Sequence, residues 1–317
     1  MSMNEKTIFV IDGGAGRAIA SIPALLKYHQ KNPNDDFRVC VHGWDTLFWG
    51  IQELQDRTFN IENKGIFDNL FINATRVISP EPYRLPAYYK QQKSLSQAFD
   101  AIINNTDDHS DLPNIKLVLN KAEEISALSM IGQTIVQDNT RDGKLNIVIQ
   151  PWGSTSRKVG KQVVDDSSRS LNNATYLKII KKLSKKYNLY YFGDKHLALE
   201  EDDITIKAEG DLRFWMAVID ACDYFIGCDS VGQHFARAFN KPGTVILGST
   251  FAENISYPDF FNIYEKSGIK KYSPLRINGI DCHLADRIND TKMDLTDEEI
   301  DDLIKSIEKD ISEKVVK

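Results

Sequence analysis

Cysteine is scarce in this chain. Four occur among 317 residues, Cys40, Cys222, Cys228 and Cys282, and none forms a C-x-x-C pair. They fall in or beside strand-like runs, so reduced thiols are expected, not a disulfide framework or a thiolate metal site. No apolar run approaches the roughly 18–20 residues of a membrane-spanning helix, which excludes a helical integral membrane segment. The opening MSMNEKTIFVIDGG passes straight into a strand pattern without the zones of a secretory leader, so a cytoplasmic setting is expected. A basic surplus is missing too: 39 Lys and Arg stand against 45 Asp and Glu, a formal charge of −6. That balance does not favour nucleic acid as a partner, although a local groove can be basic within an acidic total. No internal repeat or low-complexity segment is evident. No Asp-x-Asp pair falls at a strand end, since Asp107-Asp108 and Glu201-Asp202-Asp203 read as solvated turns, so no metal site is expected.

What is present is ordinary for a soluble protein, 42% hydrophobic and 26% charged residues, at a length that points to two domains. The most informative stretch is 211–250, DLRFWMAVIDACDYFIGCDSVGQHFARAFNKPGTVILGST. Leu212, Trp215, Met216 and Ile219 share a helix face, and 224–227 reads as a short buried strand. Asp229 and Ser230 open a second helix, with Gln233 at capping-box spacing from Ser230. Pro242 and Gly243 end that helix, and 244–247 is another buried strand leading into Gly248-Ser249-Thr250. The unit is βαβ, with a helix N-terminus at the carboxyl end of a parallel strand, where α/β proteins bind phosphates. Asp229 and Ser230 either only cap the helix or, together with backbone N–H groups and His234 one turn on, hold a diphosphate.

Elsewhere the pattern gives a strand at 7–11, the turn Gly13-Gly14-Ala15-Gly16, a helix at 17–30 and a strand at 37–42. Short strands are expected at 70–72, 76–78 and 204–206, and helices at 93–103, 120–128 and 173–186. The segment SPEPYRLPAYYK reads as an irregular surface loop. The polar run 138–143 is the best linker, immediately before a strand at 145–150. Thr296 and Glu299 form a second capping box, starting a terminal helix.

DYFIGCDSVGQHFARAFNKPGTVILGST resembles the nucleotide-binding signature of the lipopolysaccharide heptosyltransferases, glycosyltransferase family nine. Asp229, Ser230, His234, Ala236, Ala238, Pro242, Gly248 and Thr250 stand at matching positions, with Val231 where that family usually has Gly and Gly232 one place later. IFVIDGGAGRAIASIPALLKYHQKNPNDDFRVCVH is similar to the family's first strand, glycine loop, helix and second strand. LNIVIQPWGSTSRKVGKQV resembles the start of its second domain, and DTKMDLTDEEIDDLIKSI its closing segment. Residues 50–140 match no pattern of that family.

The resemblance implies an α/β protein of GT-B fold, two Rossmann-like domains with parallel sheets facing across a cleft. On it, 1–142 binds the acceptor, 143–295 binds a nucleotide sugar, UDP- or ADP-linked, and 296–317 is a helix packing back toward the first domain. The reaction implied is an inverting, metal-independent glycosyl transfer without a cofactor. Donor-binding candidates are Ser154, Lys158 and Lys161 in or just beyond the second domain's entry loop, Asp194 for a ribose or base edge, and Asp229, Ser230, Gly232, His234, Ser249 and Thr250. In the family an acid follows the loop glycine and is taken as the general base; alignment on Ile22-Pro23-Ala24-Leu25 puts Arg17 there. A guanidinium stays protonated and cannot be that base. Arg17 is then either an exposed first-turn residue or an anion-binding group at the positive end of a helix. Asp12, at the end of the first strand, becomes the favoured catalytic base, with Asp45, Glu81 and His42 as other candidates.

Gly14, Asp45 and Arg84 are the acceptor-side candidates. Arg76, Arg84, Lys90 and Lys93, interleaved with Tyr83, Tyr88 and Tyr89, form either a loop closing over a small acceptor or a patch for modified DNA. A non-catalytic nucleotide-sugar-binding protein is the further alternative. An NAD(P) oxidoreductase fits less well, because GGAGRA lacks the full G-x-G-x-x-G spacing.

Overall fold

The computed structural model describes residues 6–272, the backbone of 276–277 and 280–281, and residues 293–316; Cys282 lies outside them. The chain divides into two compact units, Met1–Val118 and Leu119–Lys317.

In the first unit, β1 (Thr7–Ile11), β2 (Arg38–Val41), β3 (Thr58–Asn60) and β4 (Arg76–Ile78) form a parallel sheet in the order β3-β2-β1-β4. The helix α1 (Ala15–Lys31) crosses from β1 to β2 and buries Ile19, Ile22, Leu25 and Leu26, each worth about 1.5–3 kcal/mol removed from water. The segment 70–72 is not a strand: Leu70 belongs to a wide helical turn, Phe67–Phe71, that lies on Ile8 and Cys40. The proline- and tyrosine-rich segment is likewise more ordered than expected. Glu81 caps a short turn at Pro82–Arg84, α2 (Pro86–Tyr89) follows, and Tyr88 is fully buried. The helix α3 (Leu95–Ile103) starts from a Ser94–Gln97 capping box and packs along α1.

The second unit begins with α4 (Lys121–Gln137), not at 142/143. An Asn120–Glu123 capping box starts α4. Arg213 then grips Glu123 with two hydrogen bonds of 2.6 Å, which fastens α4 to α6 (Leu212–Ala221). The run 138–143 is part of the same unit, since Asn188 Nδ2 donates to Arg141 O. Arg213 is buried and Glu123 nearly so. Arg213→Ala is expected to lower stability by about 2–3 kcal/mol, seen as a reduced urea midpoint, and Arg213→Lys to recover only part, because an ammonium lacks the fork.

After β5 (Asn146–Gln150) comes a hairpin, β6 (Ser156–Val159) and β7 (Gln162–Asp165), then α5 (Asn173–Leu183), β8 (Asn188–Tyr191), β9 (Ile206–Lys207) and α6. The chain continues through β10 (Tyr224–Gly227), α7 (Val231–Ala238), β11 (Gly243–Leu247), α8 (Ala252–Ile255) and β12 (Asn262–Glu265). The parallel order is β12-β11-β10-β5-β8-β9, so successive crossovers change direction between β5 and β10. Such a switch point opens a crevice outside the strands' carboxyl ends, the usual ligand position in this class of sheet. In the first unit the same switch lies between β1 and β4.

The closing helix α9 (Asp297–Lys314) begins from the expected Thr296–Glu299 box. Within the second unit, Ile300, Leu303, Ile307 and Ile311 sit in its core, and Asp310 accepts from Tyr224 Oη at 2.7 Å. No helix among the described residues is long and apolar enough to cross a membrane.

Candidate functional site

Gln150 ends β5 and stands in register with Gly227 at the end of β10. Its side chain, 4% exposed, reaches over the turn beyond β10. Nε2 donates to Ser230 Oγ at 3.0 Å, and Gly232 N–H donates to Oε1 at 2.8 Å. A Cβ at residue 232 would lie 2.4 Å from that oxygen, so this close approach requires glycine there, one place beyond the Asp-Ser pair. The capping box expected of Ser230 and Gln233 does not form. Ser230 is the N-cap of α7 but its hydroxyl makes no cap bond, because Gln150 holds it. Gln233 turns inward and is fully buried, its Nε2 3.5 Å from Asp229 Oδ1.

Asp165, at the end of β7, shapes the opposite wall. It accepts from Ser167 N–H and Oγ, from Ser170 N–H and Oγ, and from Thr155 Oγ1. Burial would raise its pKa, but the charge of Arg169 and these hydrogen bonds outweigh it and hold the carboxyl below the ordinary Asp value. The loop so formed aims Arg169 across the switch point. Its Nε donates to Ser167 Oγ at 2.8 Å and its Nη2 to Thr155 Oγ1 at 3.2 Å, and Nη1 lies 3.9 Å from Asp229 Oδ2. Ser249, buried, approaches Ser167 O at 3.5 Å. Thr250 Oγ1, just past the end of β11, is buried with no hydrogen-bond partner among the described residues.

The structure therefore gathers Asp229, Ser230, Gly232, Ser249 and Thr250 onto one sheet edge, and adds Gln150 and Arg169, which sequence reasoning missed. Three other donor-side candidates make local contacts or stand exposed, Asp194 among them just past the end of β8, the parallel neighbour of β5. Lys158, on β6, donates to Ala198 O at 3.2 Å, and Lys161 is exposed in the hairpin turn. Asp194 caps the turn Lys195–Leu197 by accepting from His196 N–H, so its carboxylate is engaged locally. Ser154 is exposed on the loop after β5.

His234 is buried against Tyr257, Nδ1 2.6 Å from the phenol oxygen, and burial pushes its imidazole down to about 4 from an ordinary 6.5. A ring neutral at physiological pH offers a phosphate no positive charge. Because the folded value is the lower one, its contribution to stability is complete above about pH 6.5 and is lost as pH falls toward 4. Urea unfolding across that window is expected to show a loss of up to about 3 kcal/mol that is absent in His234→Gln.

In the first unit, Arg17 is neither exposed nor open to an external anion. It is 5% exposed. Its Nη2 bonds Asp12 Oδ1 at 2.8 Å, its Nε donates to Asp12 O at 3.0 Å, and its Nη1 bonds Glu81 Oε1 at 2.9 Å. Burial would lower the guanidinium pKa, but Tyr83, Glu81 and Asp12 more than offset it, so the group stays charged. Asp12 is 53% exposed at the carboxyl end of β1, whereas Glu81 is 16% exposed.

The acceptor-side candidates are less concentrated. Gly14 is the N-cap of α1, with open space where a side chain would stand. Asp45 starts the turn Asp45–Phe48, just after Trp44, whose Nε1 donates to Gly13 O. His42 pairs with Glu62 on the surface. The basic and aromatic residues of the patch make separate contacts. Arg76 donates to Thr7 and Tyr28, Lys93 contacts His109 and Asp107, Tyr88 is buried and Tyr83 stacks on Arg17, while Arg84 and Lys90 are exposed.

No family model and no curated protein matches the sequence. Solved structures do match in three dimensions. A family-nine glycosyltransferase from Veillonella parvula DSM 2008 has a TM-score of 0.67 at 10% identity, over 99% of each chain. The ADP-heptose lipopolysaccharide heptosyltransferase II of E. coli has a TM-score of 0.61 at 14% identity, over 96% of this chain and 99% of that one. The fold is that of the family-nine glycosyltransferases.

A third match is TibC from enterotoxigenic E. coli H10407, described as a dodecameric, iron-containing glycosyltransferase, with a TM-score of 0.63 at 11% identity over 98% of this chain and 78% of TibC. TibC is also known in complex with ADP-D-β-D-heptose. Iron is a property of that protein; among the described residues of this chain no three His, Cys, Asp or Glu side chains are grouped to hold an ion.

Proposed function

We propose that this chain is a glycosyltransferase that moves a sugar from a nucleoside-diphosphate donor to an acceptor hydroxyl, with inversion and without a metal ion. The observation that carries the reading is the convergence at the switch point of the second sheet: the N-terminus of α7, the guanidinium of Arg169 and the hydroxyls of Ser249 and Thr250. Helix N–H groups and an arginine fork are suited to a diphosphate, whose charge grows as it leaves. A fold shared with nucleotide-sugar enzymes supports the same assignment, and the ADP-heptose complex of TibC makes an ADP-linked sugar the first donor to try.

In the proposed step, Asp12 of the first unit accepts the acceptor hydroxyl proton as that oxygen attacks the anomeric carbon. The bond from that carbon to the phosphate oxygen breaks, and the nucleoside diphosphate departs with the electron pair. Asp12 is preferred over Glu81 because it is the more exposed of the two carboxylates on Arg17. The acceptor is taken as a glycan, since the cations expected to follow a nucleic-acid strand are dispersed among separate contacts.

Melting temperature in the presence of ADP, UDP and GDP, and of their sugars, tests the donor assignment. One nucleoside diphosphate at a hundred times its Kd is expected to stabilise the fold by about 2.7 kcal/mol, well above the effect of inorganic phosphate. Equal effects from phosphate and every nucleotide, or none at all, count against it.

A further inference from the structure

We infer that Arg17 is a positioning residue for the proposed base: its guanidinium fixes the carboxylate of Asp12 at the end of β1 and ties it to Glu81 beyond β4. The inference rests on the transferase reading given above, and it concerns the first unit alone.

Arg17 is poorly placed if stability were its only purpose. It is the third residue of α1, where a cation opposes the helix dipole, and no acidic residue occupies that first turn. Its charge is withdrawn from water, which is costly unless fully paired. The surroundings are nevertheless built to hold it. The side chain folds back over Gly13, whose φ is +89° and where a Cβ would stand 2.7 Å from Arg17 Cδ. Trp44 Nε1 donates to Gly13 O at 2.9 Å and pins that turn. Tyr83 stacks on the guanidinium at 4.7 Å, and Phe99 stands at 5.7 Å.

Three of the guanidinium's nitrogens are thereby committed, two to Asp12 and one to Glu81. Asp12 and Glu81 follow β1 and β4, the two neighbouring strands that flank the switch point of this sheet. A fork contacting both the carbonyl and the carboxylate of Asp12 sets the direction of that carboxylate. Glu81 in turn accepts from Tyr83 N–H, so the orientation of Asp12 is coupled to the segment carrying Tyr83 and Arg84. Local rules are broken at residue 17 and compensated by residues distant in sequence, a combination found where function sets the residue. The acceptor proton still ends on Asp12; Arg17 touches neither proton nor sugar.

The test uses the full chain, with ADP-D-β-D-heptose and UDP-glucose as probe donors, water as acceptor and release of nucleoside diphosphate as the readout. Arg17→Ala is expected to lower kcat about a hundredfold while donor KM and ADP affinity stay unchanged. Millimolar guanidinium chloride is expected to restore at least about a tenth of the lost rate, and Arg17→Lys less, because an ammonium cannot span both carboxylates. Rescue by a free guanidinium is not a property of a merely structural residue. An Arg17→Ala protein that binds ADP normally but gains nothing from guanidinium overturns the inference, as does a KM that rises in step with the loss of rate. If Arg17→Ala does not fold, Glu81→Gln removes one strut and keeps the arginine: about a tenfold fall in kcat at constant KM supports the role, and an unchanged kcat refutes it. A wild-type protein that binds ADP and releases none from either donor contradicts the transferase reading itself, and the purpose assigned to Arg17 falls with it. That result is distinct from one in which wild type and Arg17→Ala turn over equally.

Discussion

Asp12→Asn is expected to reduce glycosyl transfer, or donor hydrolysis where water is the acceptor, by about 10²- to 10⁴-fold, the contribution of a placed general base. Asparagine keeps the size of the side chain and an oxygen able to accept from Arg17 Nη2, so the arrangement around the guanidinium should persist. What is lost is the capacity to take a proton. ADP affinity should be unchanged, because the groups assigned to the diphosphate belong to the second unit. The control is Glu81→Gln, whose carboxylate is shared between Arg17 and Tyr83 N–H and is the less exposed. A loss in Glu81→Gln larger than in Asp12→Asn would move the base to Glu81.

The second large effect is expected in binding. Arg169→Ala should weaken ADP affinity about thirty- to hundredfold, roughly 2–3 kcal/mol, in isothermal titration. His234 is neutral, Lys158 is engaged with Ala198 O and Lys161 lies in the hairpin turn, so among the described residues Arg169, beside Asp229 at the start of α7, is the cation chosen for the test. Its removal acts twice: a charge-assisted contact to phosphate is lost, and the buried carboxylate of Asp229 loses the cation beside it. Arg169→Lys should recover part of the affinity, and Lys161→Ala should change it little. A dominant effect of Lys161→Ala would restore the cation first suggested by the sequence.

Much of the second unit was legible in the chain. The segment 211–250 carries local signals throughout: a helix face at i, i+3, i+4 and i+7, a short apolar strand, and Pro242 with Gly243 to end the next helix. The Thr296–Glu299 box was readable for the same reason, since both of its bonds lie within one turn. Failures occurred where the deciding partner is remote. Arg17 reads either as an exposed first-turn residue or as an anion-binding group because one of its carboxylates lies 64 positions away. The helix α4 reads as part of the first domain because Arg213, 90 positions on, is what claims it for the second. Gln150 looks like the last residue of a strand until the register of β5 against β10 sets it over Ser230. Arg169 sits in a serine-rich run that has no reading from the sequence alone, although Asp165 with Ser167 and Ser170 carries the side-chain turn chemistry that orders the loop.

The most direct measurement is a crystal structure of the chain soaked with ADP, read together with amide shifts during ADP titration. The diphosphate should lie on the backbone N–H groups that open α7, within reach of Arg169, and the shifts should centre on Ser230, Val231, Arg169 and Thr250. A nucleotide found away from the β5–β10 switch point, or none bound at saturating ADP, would contradict the assignment of this edge as the donor site.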